Sequence, residues 1–186
     1  MAGPSPISTP IQFTYEDYLH FSDDKRYEII EGEVYMVPSP FTNHQQVSRR
    51  LERLIEDYVM ARDLGEIFDA PLDVVLSDID VVQPDIFFIS NKNSGIITYK
   101  NIQGAPDLAI EILSPSSDHK DKVLKKKLYA KYGVKEYWLV DPDAKQIQVF
   151  TLKDAALTQW NAYRLDETMQ SALWPELNLE LKSIFG

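Results

Sequence analysis

Val47, Leu51, Leu54, Ile55 and Tyr58 recur at intervals of four, three, one and three residues. That spacing makes one apolar stripe along a helix from about 43 to 64, which Gly65 is placed to end. Thr14 and Asp17 form a capping-box-like start for a short helix within TYEDYLHF (14–21). RYEII (26–30) and EVYMV (33–37) flank Glu31-Gly32 as the arms of a β-hairpin. Strand-like runs follow at EIFDA (66–70), LDVVL (72–76) and DIFFIS (85–90), and NKNSG (91–95) reads as a loop.

DLAIEIL (107–113) is short and largely apolar, as expected of a strand covered on both faces. SPSS (114–117) breaks it, and Ser117 or Asp118 is placed to cap a helix running to about Tyr132, with Gly133 closing it. EYWLVD (136–141) is the next strand. Strand, helix and strand within ~30 residues make a βαβ unit, parallel if both strands share a sheet. KQIQVFT (145–151) and TQWNAYRL (158–165) make the C-terminus β-rich. The expected class is α/β (α+β): a mixed sheet flanked by two main helices, with an extra N-terminal hairpin. With 186 residues and no repeat or linker, a single domain over 12–186 is expected, preceded by a mobile tail over 1–11.

Glu111 breaks the apolar pattern of its strand. Side chains alternate along a strand, so Leu108, Ile110 and Ile112 share one face, and Ala109, Glu111 and Leu113 the other. A carboxylate there costs several kcal/mol unless a partner compensates it. One reading is an edge-strand acid paired with a lysine. The other is a site near the C-terminal strand end, where ligands gather in open α/β sheets. A second acid would favour the site. Asp107 is four residues away on the same strand, roughly 13 Å, too far to share a small cation with Glu111. Asp85 opens DIFFIS, a strand that could lie beside that of Glu111. On the following helix Asp121, Lys125 and Tyr129 recur every four residues and share a face. They suit either a surface Asp121–Lys125 pair with Tyr129 in the core, or a lysine held over the sheet end.

The chain has no cysteine, which excludes disulfides and thiolate metal sites; oxygen ligands alone suit Mg²⁺ or Mn²⁺. There is no membrane-length apolar run and no signal-peptide pattern in the first ten residues, so a cytoplasmic protein is expected. The net charge of −10 argues against gripping duplex DNA, yet 118–135 holds seven lysines against two aspartates, a local +5. That segment is either a solvated helix face or a surface for a polyanion.

EILSPSS, then Asp121, Lys125 and Tyr129, then GVKEYWLVDP, resemble the Uma-two family, described as restriction endonucleases or as a domain of unknown function. YEIIEGEVYMVPSP, His44 opening the long helix, and VVQPDIFFIS fit the same family, so the resemblance covers about 12–152. That family is similar to the PD-(D/E)xK nuclease superfamily, whose core is a helix, three antiparallel strands, a helix and a further strand. The resemblance implies that Asp85 and Glu111 are the motif acids and metal ligands, with the Ile112 backbone carbonyl a further ligand and Glu28 completing the shell. The motif lysine is absent, since Leu113 stands two residues after the acid; Lys125 on the helix is its implied replacement. Asp121 and Tyr129 would orient that lysine, and His44 matches a recurring histidine with either a site or a helix-cap role. The expected function is Mg²⁺-dependent (or Mn²⁺-dependent) endonucleolytic hydrolysis of DNA by a homodimer. The rivals are a nuclease fold that has lost catalysis and binds only, and a protein-interaction module built on the apolar C-terminal run.

Overall fold

The computed structural model describes residues 11–22, 24–115, 117 and 119–186. The expected tail therefore lies, but for Ile11, outside the described residues, as does Asp118 with its capping role. Helix α1 (Tyr15–Tyr18) starts with the Thr14–Asp17 capping box. Strands β1 (Arg26–Ile30) and β2 (Glu33–Val37) pair antiparallel, Ile30 opposite Glu33. Glu31 and Gly32 both take positive φ, 54° and 80°, the two-residue turn whose twist matches the strands it joins.

Helix α2 (Thr42–Met60) buries Val47, Leu51, Ile55 and Val59, with Leu54 and Tyr58 partly buried beside them. It ends before Gly65, which instead opens β3 (Gly65–Asp69). A Cβ at Gly65 would stand 2.1 Å from the Ile89 carbonyl oxygen. The glycine thus serves close strand contact, not a helix cap. Strands β4 (Val74–Ser77), β5 (Asp80–Val82) and β6 (Ile86–Ser90) follow. β5 is too short to show a period in sequence, and the expected loop at 91–95 is a 3₁₀ turn over Asn91–Ile96. Then come β7 (Ile102–Gln103), β8 (Leu108–Ile112), a π-helical stretch over Lys120–Lys125 and helix α3 (Lys126–Tyr132). The chain closes with β9 (Glu136–Asp141), β10 (Gln146–Lys153), β11 (Ala156–Arg164), β12 (Thr168–Met169), β13 (Leu179–Glu180) and helix α4 (Leu181–Phe185).

The architecture is mixed α+β. A six-stranded sheet runs β11-β10-β9-β8-β6-β3, a five-stranded one β2-β1-β5-β4-β7, and β12 pairs with β13. Within the larger sheet every pair is antiparallel except β8 and β9, which the intervening helix joins in parallel. The order α2-β3-β6-β8-α3-β9 is the core that the resemblance implied. Leu108, Ile110 and Ile112 pack on the α2 side with Trp138 and Trp174. Ala109 and Leu113 face α3 and the smaller sheet. β8 is an interior strand, so Glu111 is no edge-strand acid.

Candidate active site

Asp85 directly precedes β6, and Ile86 pairs with Ile110 of β8, so Asp85 arrives level with the end of the Glu111 strand. The contact is direct. The Ile112 amide donates to Asp85 Oδ2 at 2.7 Å, and His44 Nε2 lies 3.1 Å from the same oxygen. The bond from Ile112 fixes the carboxylate against the backbone beside Glu111. His44 projects from the first turn of α2, where its Nδ1 is buried without a hydrogen-bond partner among the described residues. Burial pulls the imidazole toward neutrality; Asp85, then Asp121 and the Ile112 carbonyl, overcome this and raise its pKa.

Glu111 points to the α3 side, where Lys125 Nζ donates to its Oε1 at 2.8 Å and the Tyr129 hydroxyl at 2.6 Å. Lys125 also lies 2.7 Å from Glu28 Oε1 and 3.7 Å from Asp121 Oδ1. Its side chain is 3% exposed. The surface-pair reading of Asp121 and Lys125 therefore fails: both are buried, and Tyr129 joins them instead of packing only with apolar neighbours. Tyr129 also stacks at a tilt on Tyr137, whose hydroxyl donates to the Asp121 carbonyl.

Glu28 enters from β1. Its Oε1 accepts from the Gln83 amide at 3.0 Å, and its Oε2 from Lys120 Nζ at 2.5 Å. Lys120 and Gln83 were missed in the sequence. The reason for Lys120 is the π-helical stretch, whose i→i+5 bonding puts residues five apart on one side. Spacing by four finds Lys125 with Asp121 but not Lys120 with Lys125. Gln83 acts through its backbone, which no side-chain pattern reveals.

These groups line a cleft of about 90 Å³. Among the described residues its carboxylates are Glu28, Asp69, Asp85, Glu111 and Asp121, and its permanent cations are Arg26, Lys120 and Lys125. By formal count, with every carboxyl ionised and His44 neutral, the acids exceed the permanent cations by two. Burial raises the Glu28 carboxyl, but Lys125 and Lys120 prevail and hold it near about 2. Burial pushes Glu111 well up in spite of Lys125, aided by Asp121, Asp85 and Glu28. Asp121 is raised by burial and by Glu28 against the pull of Lys125. Lys125, which burial alone would lower, is held well above the usual lysine range by Glu111, Glu28 and Asp121.

Among the described residues no three His, Cys, Asp or Glu side chains gather to hold a metal ion, and Lys125 sits where Glu28 and Glu111 meet. The donor chemistry still fits a hard cation. Mg²⁺ keeps several waters and takes one or two carboxylates from the protein. Asp85 and Glu111 supply that number, Ile112 adds a backbone carbonyl, and buried Asp121 Oδ1 makes no hydrogen bond among the described residues.

A model of the Uma2 family, "Putative restriction endonuclease", matches residues 14–182. An uncharacterized protein of Synechocystis is 26% identical over 162 residues, which span 83% of this chain and 82% of that one. Among solved structures, a protein from Anabaena variabilis described as a putative nuclease belonging to DUF820 superposes with a TM-score of 0.77. That match covers 93% of this chain and 97% of the other at 23% identity, a likeness of fold.

Proposed function

The chain belongs to the Uma2 family of putative restriction endonucleases, and from that premise we propose that it is a divalent-metal-dependent endonuclease hydrolysing phosphodiester bonds in DNA. One observation carries the reading: Asp85 and Glu111, delivered by separate strands, open onto one cleft whose described lining has five carboxyl groups and three permanent cations. Asp85, Glu111 and the Ile112 carbonyl would hold Mg²⁺ or Mn²⁺, with Glu28 beside them. Such a cation, when bound, supplies Lewis-acid polarisation of phosphate and water and offsets charge on the leaving oxygen.

The chain's own groups do the positioning. The Ile112 amide and His44 fix Asp85. Lys125 and Tyr129 fix Glu111 through one oxygen, Oε1. Lys125 adds positive charge next to the phosphate site, of the kind that stabilises charge developing in the transition state. Glu28 and Asp121 hold the Lys125 ammonium in place. Scission of both strands needs two such sites, so the working assembly in this reading is a homodimer.

A second reading has its own observation. With Leu113 at the motif position and Lys125 enclosed by three carboxylates, the fold would bind DNA without cutting it. Purified protein with plasmid DNA and Mg²⁺ or Mn²⁺ at low salt separates the two. Metal-dependent nicking that disappears in Asp85→Asn and Glu111→Ala is the expected result. Nicking that survives Glu111→Ala removes the role given to that residue, and absence of nicking alongside DNA binding favours the second reading.

A further inference from the structure

Arg26 opens β1, and Glu28 stands two residues further along the strand, so both side chains leave it on one face. Glu28 is buried against Lys120 and Lys125, whereas Arg26, roughly 7 Å back along the strand, is only half-buried. Both line the cleft. Arg26 also lines an outer hollow, which shares Val37, Pro38, Ser39 and Pro40 with the cleft. The arginine thus stands in the cleft's outer wall, opposite Val37 in the β1–β2 hairpin. An amide holds it there. Its Nε donates to Gln83 Oε1 at 2.8 Å. Gln83 is buried, and its Nε2 donates to Asp73 Oδ1 at 2.8 Å and to the Tyr18 hydroxyl at 3.2 Å. The Asp73 carboxylate accepts only, so it fixes which end of the amide faces Arg26. Among the described residues Lys120 and Lys125 are paired with Glu28 and Glu111, while no carboxylate pairs with Arg26.

We propose that Arg26 grips a phosphate of the DNA strand flanking the one that is cleaved, an inference that rests on the proposed function for the identity of its ligand. A guanidinium is planar and meets two oxygens of one phosphate with parallel N–H groups. With Nε committed to Gln83, the plane is set, and the fork left over is the pair of Nη groups, which make no hydrogen bond among the described residues. A carboxylate in the place of Gln83 would bind the guanidinium more strongly and cancel its charge. The chain instead keeps Asp73 one group removed, where it orients the amide. Arg26 is therefore positioned without being neutralised. Its place toward the outside of Glu28 suits a neighbouring phosphate, since Asp85 and Glu111 belong to the reacting one. Such a contact is made alike before and during reaction, so it contributes to binding and not to the chemical step.

The test is fluorescence anisotropy of a labelled DNA duplex against the full chain in Ca²⁺, a hard cation that carboxylates accept, over a range of salt. It compares Arg26→Gln with Arg164→Gln, the same charge change at an exposed position outside the cleft lining. Arg26→Gln should weaken binding about tenfold at low salt and flatten the log–log salt slope by about 0.9, the value of one phosphate contact. Arg164→Gln should leave both near wild type. Arg26→Lys keeps the charge without the fork, so it should keep most of the slope and bind several-fold more weakly. In Mg²⁺, Arg26→Gln should raise KM for plasmid nicking about tenfold with kcat within about twofold of wild type. Binding by Arg26→Gln that matches Arg164→Gln, or no DNA binding by wild type, overturns the contact. A fall in kcat at unchanged KM overturns its flanking place. If Arg26→Gln fails to fold, Arg26→Lys decides: wild-type affinity there overturns the fork. Wild-type binding with this pattern but no nicking removes the proposed reaction and leaves the contact standing.

Discussion

Two buried glutamates stand on neighbouring parallel strands and face opposite ways. Glu111 of β8 looks toward α3, where its partners are an ammonium and a phenol and a cleft opens beside it. Glu136 of β9 looks toward the α2 side, and among the described residues only neutral donors meet it. Trp138 Nε1 and the Ser171 hydroxyl donate to its Oε1 at 2.5 and 2.8 Å, and the Leu173 amide donates to Oε2 at 2.6 Å. Glu136 thereby fastens the 171–174 segment, whose Trp174 packs on Phe88, Tyr58 and Trp138. Both acids are at most 2% exposed, so burial does not tell them apart. What separates them is saturation: Glu136 has donors on both oxygens, whereas Glu111 belongs to a set of acids outnumbering its cations.

The largest expected effect comes from removing the cation of that set. Lys125→Met leaves Glu28, Glu111 and Asp121 facing one another without it and should cost about 3–5 kcal/mol in urea denaturation. Adding Glu111→Gln should recover part of the loss. A single-variant cost under about 1 kcal/mol would mean that the cluster is not charge-coupled and that the contrast with Glu136 is empty. Glu136→Gln comes next. Its new amide faces the Leu173 N–H, so about 1–3 kcal/mol of stability should be lost. Its DNA-cleaving activity should equal wild type, because Glu136 is not among the cleft's lining residues. A cleavage defect as deep as that of Glu111→Gln would erase the distinction. Asp85→Asn should show the reverse. Its oxygen can still accept from Ile112 and its side chain is 19% exposed, so stability should stay within about 1 kcal/mol of wild type while cleavage disappears.

The same contrast explains what could be read from the chain. The hairpin and the parallel unit were legible because RYEII, EVYMV, DLAIEIL and EYWLVD carry local patterns bounded by turn residues. Strand alternation also placed Glu111 on the face opposite Ile110 and Ile112. The partners of Glu136 were not legible, because Ser171 and Leu173 lie 35 and 37 residues away in a segment without regular pattern. Lys120 was hidden by the π-helical stretch. The lysine-rich run read as one basic face, yet four of its charges answer acids on β1, β5 and β8 and just before β8, a sorting that only the folded chain makes.

The smallest expected effect is a difference in pH dependence. Burial raises the Glu136 carboxyl against the hydrogen bonds from Trp138, Ser171 and the amides of Leu173 and Ala172. The folded state therefore holds a proton there more tightly than an unfolded glutamate, whose pKa is ~4.3. The stability gained this way is complete below ~4.3 and is lost as pH rises through the folded value. Glu28 has the opposite sign: Lys125 and Lys120 outweigh burial and hold it near about 2. Its contribution is present above ~4.3 and fades only as pH falls toward that lower value. Urea denaturation at about pH 8 and about pH 5 should show the cost of Glu136→Gln growing on acidification, while that of Glu28→Gln stays level. A Glu136→Gln cost independent of pH would mean that the neutral donors already offset its burial. The two glutamates would then differ only in the charges of their neighbours.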